Sequence, residues 1–218
     1  YVGVPNMDSI VKYLSDGLNI KLYTNISKIE KKKQKWYLTD NENRTYGEFN
    51  WVILTLPAEQ SLALLSKKVS FYNIIKKIKM KGCFSLMLGM QEQLELDFDA
   101  ASIKDYDIGW MAVNNSKPKR NCGFSLLVNS SYEYAEKNIN TQKNEVLHHL
   151  LKKTAKLINR NLISCDLKLL HQWRFVETFN KSLHNYFIDQ DQKIGVCGDW
   201  CLNSRVEDAF ISANKLSK

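Results

Sequence analysis

The residues best placed to do chemistry stand together near the end of the chain, in the stretch Cys197-Gly198-Asp199-Trp200-Cys201-Leu202-Asn203-Ser204-Arg205-Val206-Glu207-Asp208. An apolar run, Ile194 to Val196, feeds the Gly-Asp pair, and a helical pattern follows. Where a strand gives way to a helix, backbone N–H groups converge without internal partners. Such a junction can hold an anion or an electron-rich ring. The residue types leave plainer roles open as well. Asp199 can cap the last helix, Glu207 and Asp208 can complement its dipole, and Trp200 can fill a core.

Cys197 and Cys201 are four apart, but no second close pair of Cys or His accompanies them, so the spacing of a structural zinc site is not met. Cys83, Cys122 and Cys165 complete an odd total of five, placed mostly in apolar runs. That usage suits reduced thiols in a cytosolic protein, with no disulfides expected.

Positioning the terminal stretch requires a scaffold, and hydrophobic periodicity outlines one. Met7, Ile10, Val11 and Leu14 recur at helical spacing, with Asn6 or Asp8 available as a cap and Gly17 after the last turn. Short β-branched or aromatic segments follow at Ile20 to Tyr23, Asn25 to Lys32, Trp36 to Thr39 and Arg44 to Tyr46, which predicts an antiparallel meander. Trp51 to Leu56 is nearly all apolar, as in a strand covered on both faces, and Pro57 stops it where a helix can begin.

The middle of the chain has a second character. Cys83 to Met90, Ile108 to Val113, Gly123 to Asn129 and Leu167 to Phe175 read as strands separated by polar loops. Thr141 to Arg160 carries the longest helical stripe. The expected architecture is therefore discontinuous: residues 1–57 and 184–218 form one domain, interrupted by an α+β domain over 58–183.

Composition narrows the function. The net charge is +8, from 31 basic and 23 acidic residues, but the lysines fall in scattered clusters at 31–33, 67–68, 76–81 and 152–156 rather than in a stripe. Solvated faces explain them, and no nucleic-acid partner is expected. No apolar run approaches the roughly eighteen residues of a membrane span, and the opening YVGVPNMDS lacks the order of a signal peptide. A soluble, cytoplasmic protein without a membrane partner is expected. Because the first residue is Tyr1 and the last helix runs out without a clear cap, the chain also reads as a piece of something longer.

Four blocks in order, YVGVPNMDSIVKYL, WVILTLPAEQSLALL, HQWRF and IGVCGDWCLNSRVEDAFIS, resemble the flavin-dependent amine oxidase superfamily, with the nearest look to its renalase-like NAD(P)/FAD-dependent members. The resemblance covers essentially all of the chain. It implies a mixed α/β and α+β fold, with part of a Rossmann-like, glutathione-reductase-type FAD domain interrupted by a substrate domain. By the same resemblance, Gly198, Asp199, Trp200, Arg205, Val206 and Glu207 belong to a flavin cradle. Asp199 would accept a hydrogen bond from a ribityl hydroxyl, and the helix starting near Arg205 would aim its N-terminus at the pyrimidine edge. Trp173 and Arg174 match a strand that enters the region near the flavin and are substrate-side candidates, whereas His171 alternates to the other face and reads as structural. Ile26 and Ile29 would pass the adenine or simply pack. Tyr1, Gly3 and Pro5 match a loop without an evident role.

Two departures qualify these expectations. No GxGxxG occurs anywhere, so the chain alone cannot hold FAD in the family manner; an N-terminal segment or a second chain is implied. Asp208 stands where the family pattern has glycine. Directed at the cofactor it would weaken binding, and directed at solvent it would cost nothing. The implied function is hydride transfer from an amine or dihydronicotinamide substrate to flavin, with reoxidation by oxygen. The alternative is a non-catalytic binding module of flavoprotein ancestry.

Overall fold

The computed structural model describes residues 2–104, 107–120, 123–180, 182 and 184–218. Cys122 and Tyr1 lie outside them. In chain order the elements are α1 Ser9–Leu14, β1 Ile26–Lys32, β2 Lys35–Asp40, β3 Thr45–Phe49, β4 Val52–Leu54, α2 Ala58–Leu64, α3 Tyr72–Ile75, β5 Met80–Met90 and β6 Ala100–Ser102. There follow β7 Ile108–Val113, β8 Phe124–Ser130, α4 Tyr132–Asn138, α5 Lys143–Leu157, β9 Leu167–Thr178, β10 Phe187–Asp189, β11 Ile194–Val196 and α6 Val206–Leu216. The fold is mixed α/β with largely antiparallel sheets. It divides into two compact units, one of residues 1–20 and 82–174, the other of residues 21–81 and 175–218.

The unit of residues 21–81 and 175–218 contains both ends of the terminal stretch's scaffold. Its meander β1-β2-β3 is antiparallel, with Ile29 opposite Leu38 and Trp36 opposite Phe49. The turn after β2 is built on Asp40, which accepts hydrogen bonds from the Glu42 and Arg44 amides, the Arg44 guanidinium and the Tyr46 hydroxyl. Burial alone would raise the Asp40 pKa, but these donors outweigh it and hold the carboxyl at about 2. Trp36 ties the meander to the β10-β11 turn by donating its indole N–H to the Gln192 and Lys193 carbonyls.

The second sheet of this unit has the order β10-β11-β4. Strand β11 is buried throughout and runs parallel to β4, Ile194 opposite Val52 and Val196 opposite Leu54. Both strands are rich in branched apolar residues, which fit a pleated surface. Strand β4 alternates, however: Val52 and Leu54 are buried and Ile53 is exposed, so the cover on both faces expected for Trp51 to Leu56 is present on one face only. Pro57 precedes α2, where its missing N–H costs nothing. Val52, Leu54, Ala58, Phe71, Ile75, Phe187, Ile194, Val196 and Trp200 form the core here.

The other unit holds the five-stranded sheet, order β6-β7-β8-β5-β9. Alternation puts Phe84, Leu86, Leu88, Phe124, Leu126 and Val128 on one face, where they pack with Val146 and Leu150 of α5. Each such fully buried aliphatic or aromatic side chain contributes about 1.5–3 kcal/mol. His149 and Lys153 of α5 converge on Asp107, at 2.8 and 3.4 Å, and the His149 ring stacks on Tyr134 of α4.

Two expectations fail at the start of the chain. Helix α1 forms, but Asp8 gives no side-chain cap and instead pairs with Lys12 at 2.8 Å; Met7, Ile10, Val11 and Leu14 are all exposed. Ile20 to Tyr23 is no strand. Among the described residues it has no partner to complete a ladder, and Tyr23, at φ 53°, is almost fully exposed. Among the described residues no helix is long and apolar enough to cross a membrane.

Candidate functional site

Strand β11 delivers the chain to Cys197, whose N–H donates to the Leu54 carbonyl at 3.0 Å. The turn that follows therefore sits at the carboxyl ends of two adjacent parallel strands, the end at which open α/β sheets place ligands. Gly198 donates its N–H to the Ser212 hydroxyl at 3.1 Å, and that hydroxyl donates in turn to the Asn185 carbonyl at 2.6 Å. A methyl group on Gly198 would lie 2.8 Å from the Trp200 indole nitrogen. The close approach that glycine permits here is thus made by Trp200. That indole is 1% exposed, stacks on Phe187 and donates to the Leu56 carbonyl at 3.0 Å.

Beyond Trp200 the turn opens. Asp199 anchors it by its backbone carbonyl, which accepts from the Leu202 and Ser204 amides. Its half-buried carboxyl is pushed above the ordinary carboxylate value, first by burial and further by the nearby Asp208. Ser204 has the left-handed backbone φ of 59°, and its hydroxyl oxygen is buried without a hydrogen-bond partner among the described residues.

Helix α6 then begins with Arg205 as its N-cap residue. Asp208 is buried and turned back on its own helix start: it accepts from the Arg205 amide at 3.2 Å and from the Asn203 side chain at 3.4 Å. The carboxylate in place of glycine is consumed by capping, so it points neither to open solvent nor outward from the helix end. The N–H groups of Val206 and Glu207 have no acceptor among the described residues, as the first turn of any helix requires. Arg205, Val206 and Glu207 are exposed around them.

These observations decide how far a flavin fits. The Val206 and Glu207 amides, without acceptors among the described residues, and the partly desolvated Asp199 are donors and an acceptor of the kind that the pyrimidine edge and ribityl hydroxyls of a flavin would need, whereas the Ser204 hydroxyl is enclosed within the protein. Gly198 and the Trp200 ring lie against each other in the same turn. The chain has no glycine-rich loop for a pyrophosphate.

Trp173 and Arg174 belong to the other compact unit. There the face of the five-stranded sheet opposite α5 is partly exposed, through Trp110, Leu167, Leu169 and Trp173, while Ser85 on the same face is buried. Register places Trp110 and Ser85 on either side of Asn129, and Ser85 donates to the Asn129 side-chain oxygen at 2.7 Å. The half-exposed Trp173 indole donates to Ser85 at 3.1 Å. Met87 and Leu127 form the next row, and Leu167 and Leu169 extend the face along β9. His171 shares it, with its ring centroid 4.0 Å from that of Trp173, because residues two apart on a strand point the same way. Arg174 is exposed, and among the described residues no carboxylate pairs with it. Ser85 and Asn129 escaped sequence reasoning, since only cross-strand register brings them into line with Trp173.

Ile26 and Ile29 lie in β1, where Ile29 packs against the core. Among the described residues no cluster of His, Cys, Asp and Glu is arranged to hold a metal.

No family model matches the chain. Solved structures do. A putative protoporphyrinogen oxidase from Exiguobacterium sp. 255-15 superposes with a TM-score of 0.70 at 14% identity, over 98% of this chain and 51% of that one. Cyclohexylamine oxidase from Brevibacterium oxydans IH-35A gives 0.62 at 10% identity, over 98% and 53%. A double mutant of putrescine oxidase, made in a redesign of its cofactor binding, gives 0.64 at 9% identity, over 96% and 52%. The fold is shared with these oxidases. The chain spans about half the length of the structures it matches, and identities this low establish the fold alone.

Proposed function

We propose that this chain is the C-terminal portion of an FAD-dependent oxidoreductase of the amine oxidase superfamily, renalase-like in character. It carries the ring-facing end of the cofactor site and the substrate domain. The observation that carries the reading is the start of α6, after the turn at the carboxyl ends of β11 and β4, where the Val206 and Glu207 amides lack acceptors among the described residues. The shared oxidase fold supports it. The reading divides the chain by role into 1–57 with 184–218 on the cofactor side and 58–183 on the substrate side.

When bound, FAD supplies the two-electron acceptor for a hydride from an amine or a dihydronicotinamide, with oxygen as the final oxidant. The chain's own residues do the rest. Val206 and Glu207 hold the pyrimidine edge by backbone donation and favour negative charge there through the helix dipole. Asp199 accepts from a hydroxyl of the cofactor side chain. Trp200 and Gly198 fix the turn. Trp173 orients the substrate, and Arg174 holds an acidic group on it.

Asp208, a carboxylate where the resemblance has glycine, favours a second reading, a module that keeps the fold without the cofactor. Anaerobic addition of NADH, and separately of a primary amine, to the full-length protein distinguishes them. Bleaching of a bound flavin by either donor supports the oxidoreductase. Absence of flavin uptake on titration with FAD supports the module.

A further inference from the structure

The five-stranded sheet has a second side, the one that α5 covers, and a group of polar residues stands there that neither the terminal turn nor Trp173 uses. Asp107 immediately precedes β7, Ser131 caps α4, Tyr134 lies in its first turn, and His149 and Lys153 belong to α5. Backbone bonds lock these elements together. Ser131 donates its N–H to the Asp107 carbonyl at 2.8 Å, and its hydroxyl accepts from the Tyr134 amide at 3.1 Å. The cap of α4 is thereby pinned to the segment that enters β7. Two further rings fix Tyr134, His149 stacked on it with centroids 5.1 Å apart and Phe84 of the core edge-on at 6.3 Å.

Between α4 and the segment before β7 lies a cavity of about 720 Å³, whose walls include Ile103, Lys104, Asp107, Glu133, Tyr134 and Lys137. All six belong to one compact unit. The size suits a small molecule. Its polar groups are of both signs and incompletely paired. His149 and Lys153 both bond Oδ2 of Asp107, and Oδ1 has no partner among the described residues. The hydrogen bond from His149 holds that carboxyl below the ordinary carboxylate range, so it is ionised at neutral pH. Lys104 and Lys137 are exposed, and among the described residues neither makes an ion pair, although Glu133 is four positions before Lys137 on α4. The Tyr134 hydroxyl has no hydrogen-bond partner among the described residues either.

This donor and acceptor set selects a ligand chemistry. A simple anion would face the Asp107 and Glu133 carboxylates, and a simple cation would face two ammonium groups. A molecule that carries a phosphate and several hydroxyls satisfies both. Lysine ammonium groups hold phosphate as point charges, whereas an ionised carboxylate can only accept and so takes O–H donors. The Tyr134 ring adds an apolar surface with a polar tip. We infer that the cavity is a binding site for a small phosphorylated sugar, with Lys104 and Lys137 on the phosphate and the free Asp107 oxygen and the Tyr134 hydroxyl on the sugar hydroxyls. His149 and Lys153 are positioning residues that hold the Asp107 carboxylate toward the cavity. A free amino acid, which carries both charges without the hydroxyls, is the competing occupant.

Equilibrium dialysis of the full-length protein against radiolabelled ribose 5-phosphate, with FAD in excess so that a cofactor site cannot take the probe, tests this. Saturable binding is expected, with ribose and inorganic phosphate competing at least roughly tenfold more weakly than unlabelled ribose 5-phosphate. Lys104→Ala combined with Lys137→Ala should weaken binding roughly tenfold or more, since both side chains are exposed and the fold does not depend on them. Tyr134→Phe should weaken it by a smaller factor at an unchanged melting temperature. Lys67→Ala, an exposed lysine of the other unit, should leave the affinity as it is. Four results overturn the inference: no saturable binding, full affinity in the double lysine variant, inorganic phosphate competing as well as the ester, or alanine competing better than ribose 5-phosphate. None of these depends on whether the protein takes up flavin, so the cofactor reading and this site stand or fall separately.

Discussion

The indole N–H of Trp200 donates to the backbone carbonyl of Leu56 across 144 positions of sequence, at 3.0 Å. This single bond joins the turn after β11 to the end of β4 and satisfies a buried donor that would otherwise cost about 1–3 kcal/mol. Gly198 lies directly against the same ring.

Gly198→Ala accordingly tests the packing. A Cβ at 2.8 Å from the indole nitrogen cannot be absorbed by a flexible side-chain tip, since the ring is stacked on Phe187 and bonded to Leu56. Chemical denaturation should show a loss of about 1–3 kcal/mol. Trp200→Ala should lose about 3–5 kcal/mol. A neutral Gly198→Ala would mean that the turn relaxes freely.

Asp199 is predicted to destabilise the fold at neutral pH. Its folded pKa is raised, first by burial and then by Asp208. The folded state therefore holds its proton to higher pH than the unfolded state, and stability falls as pH rises from the ordinary carboxylate value, about 3.9, through the raised one. Asp199→Asn should raise the melting temperature at pH 7, and the gain should vanish below about pH 4, where both states are protonated. A variant that melts lower at pH 7 would show that the carboxylate is a stabilising cap. In the full-length protein the same variant should weaken FAD binding, so stability and function move in opposite directions.

The thiols of the terminal stretch should be inert. Cys201 is buried and its pKa is pushed up to about 12, and burial raises that of Cys197 as well. At pH 8 the thiolate fraction of Cys201 is lower than that of a free cysteine by on the order of a thousandfold. Mass-spectrometric mapping after brief iodoacetamide treatment should find Cys197 and Cys201 unmodified in the native protein and modified after unfolding. Rapid native labelling of Cys201 would show that the turn opens.

Trp173→Phe separates binding from stability on the partly exposed sheet face. The ring is half exposed and its one polar contact is to Ser85, so the fold should lose less than about 1 kcal/mol. If Trp173 orients the substrate, the full-length enzyme should show a raised KM or lowered kcat with unchanged FAD content. Ser85→Ala, which leaves the indole in place but unanchored, should show a smaller change in the same direction. Wild-type kinetics in both variants would remove Trp173 from the substrate side.

Much of the scaffold was legible in sequence because its period was clean. Ile108 to Val113 is β7, and the stripe through Val146 and Leu150 is α5. Where periodicity misleads, the cause is a missing partner. The stripe of Met7, Ile10, Val11 and Leu14 predicts α1 correctly yet names nothing that covers it, and the alternation at Ile20 to Tyr23 finds no neighbouring strand. Short elements such as α4 and β6 carry too few residues to establish a period. The site was legible only as a cluster in sequence. That Trp200 supports the turn from the core, and that Asp208 caps its own helix, depends on Leu56 and on the Arg205 amide, which no spacing rule connects to them.

The central claim, that the turn from Gly198 to Glu207 faces a flavin in the complete protein, is tested most directly by the visible absorbance spectrum of the purified full-length product of the gene. The account predicts a bound-flavin spectrum that Asp199→Asn weakens. A colourless full-length protein that takes up no FAD on titration would contradict it.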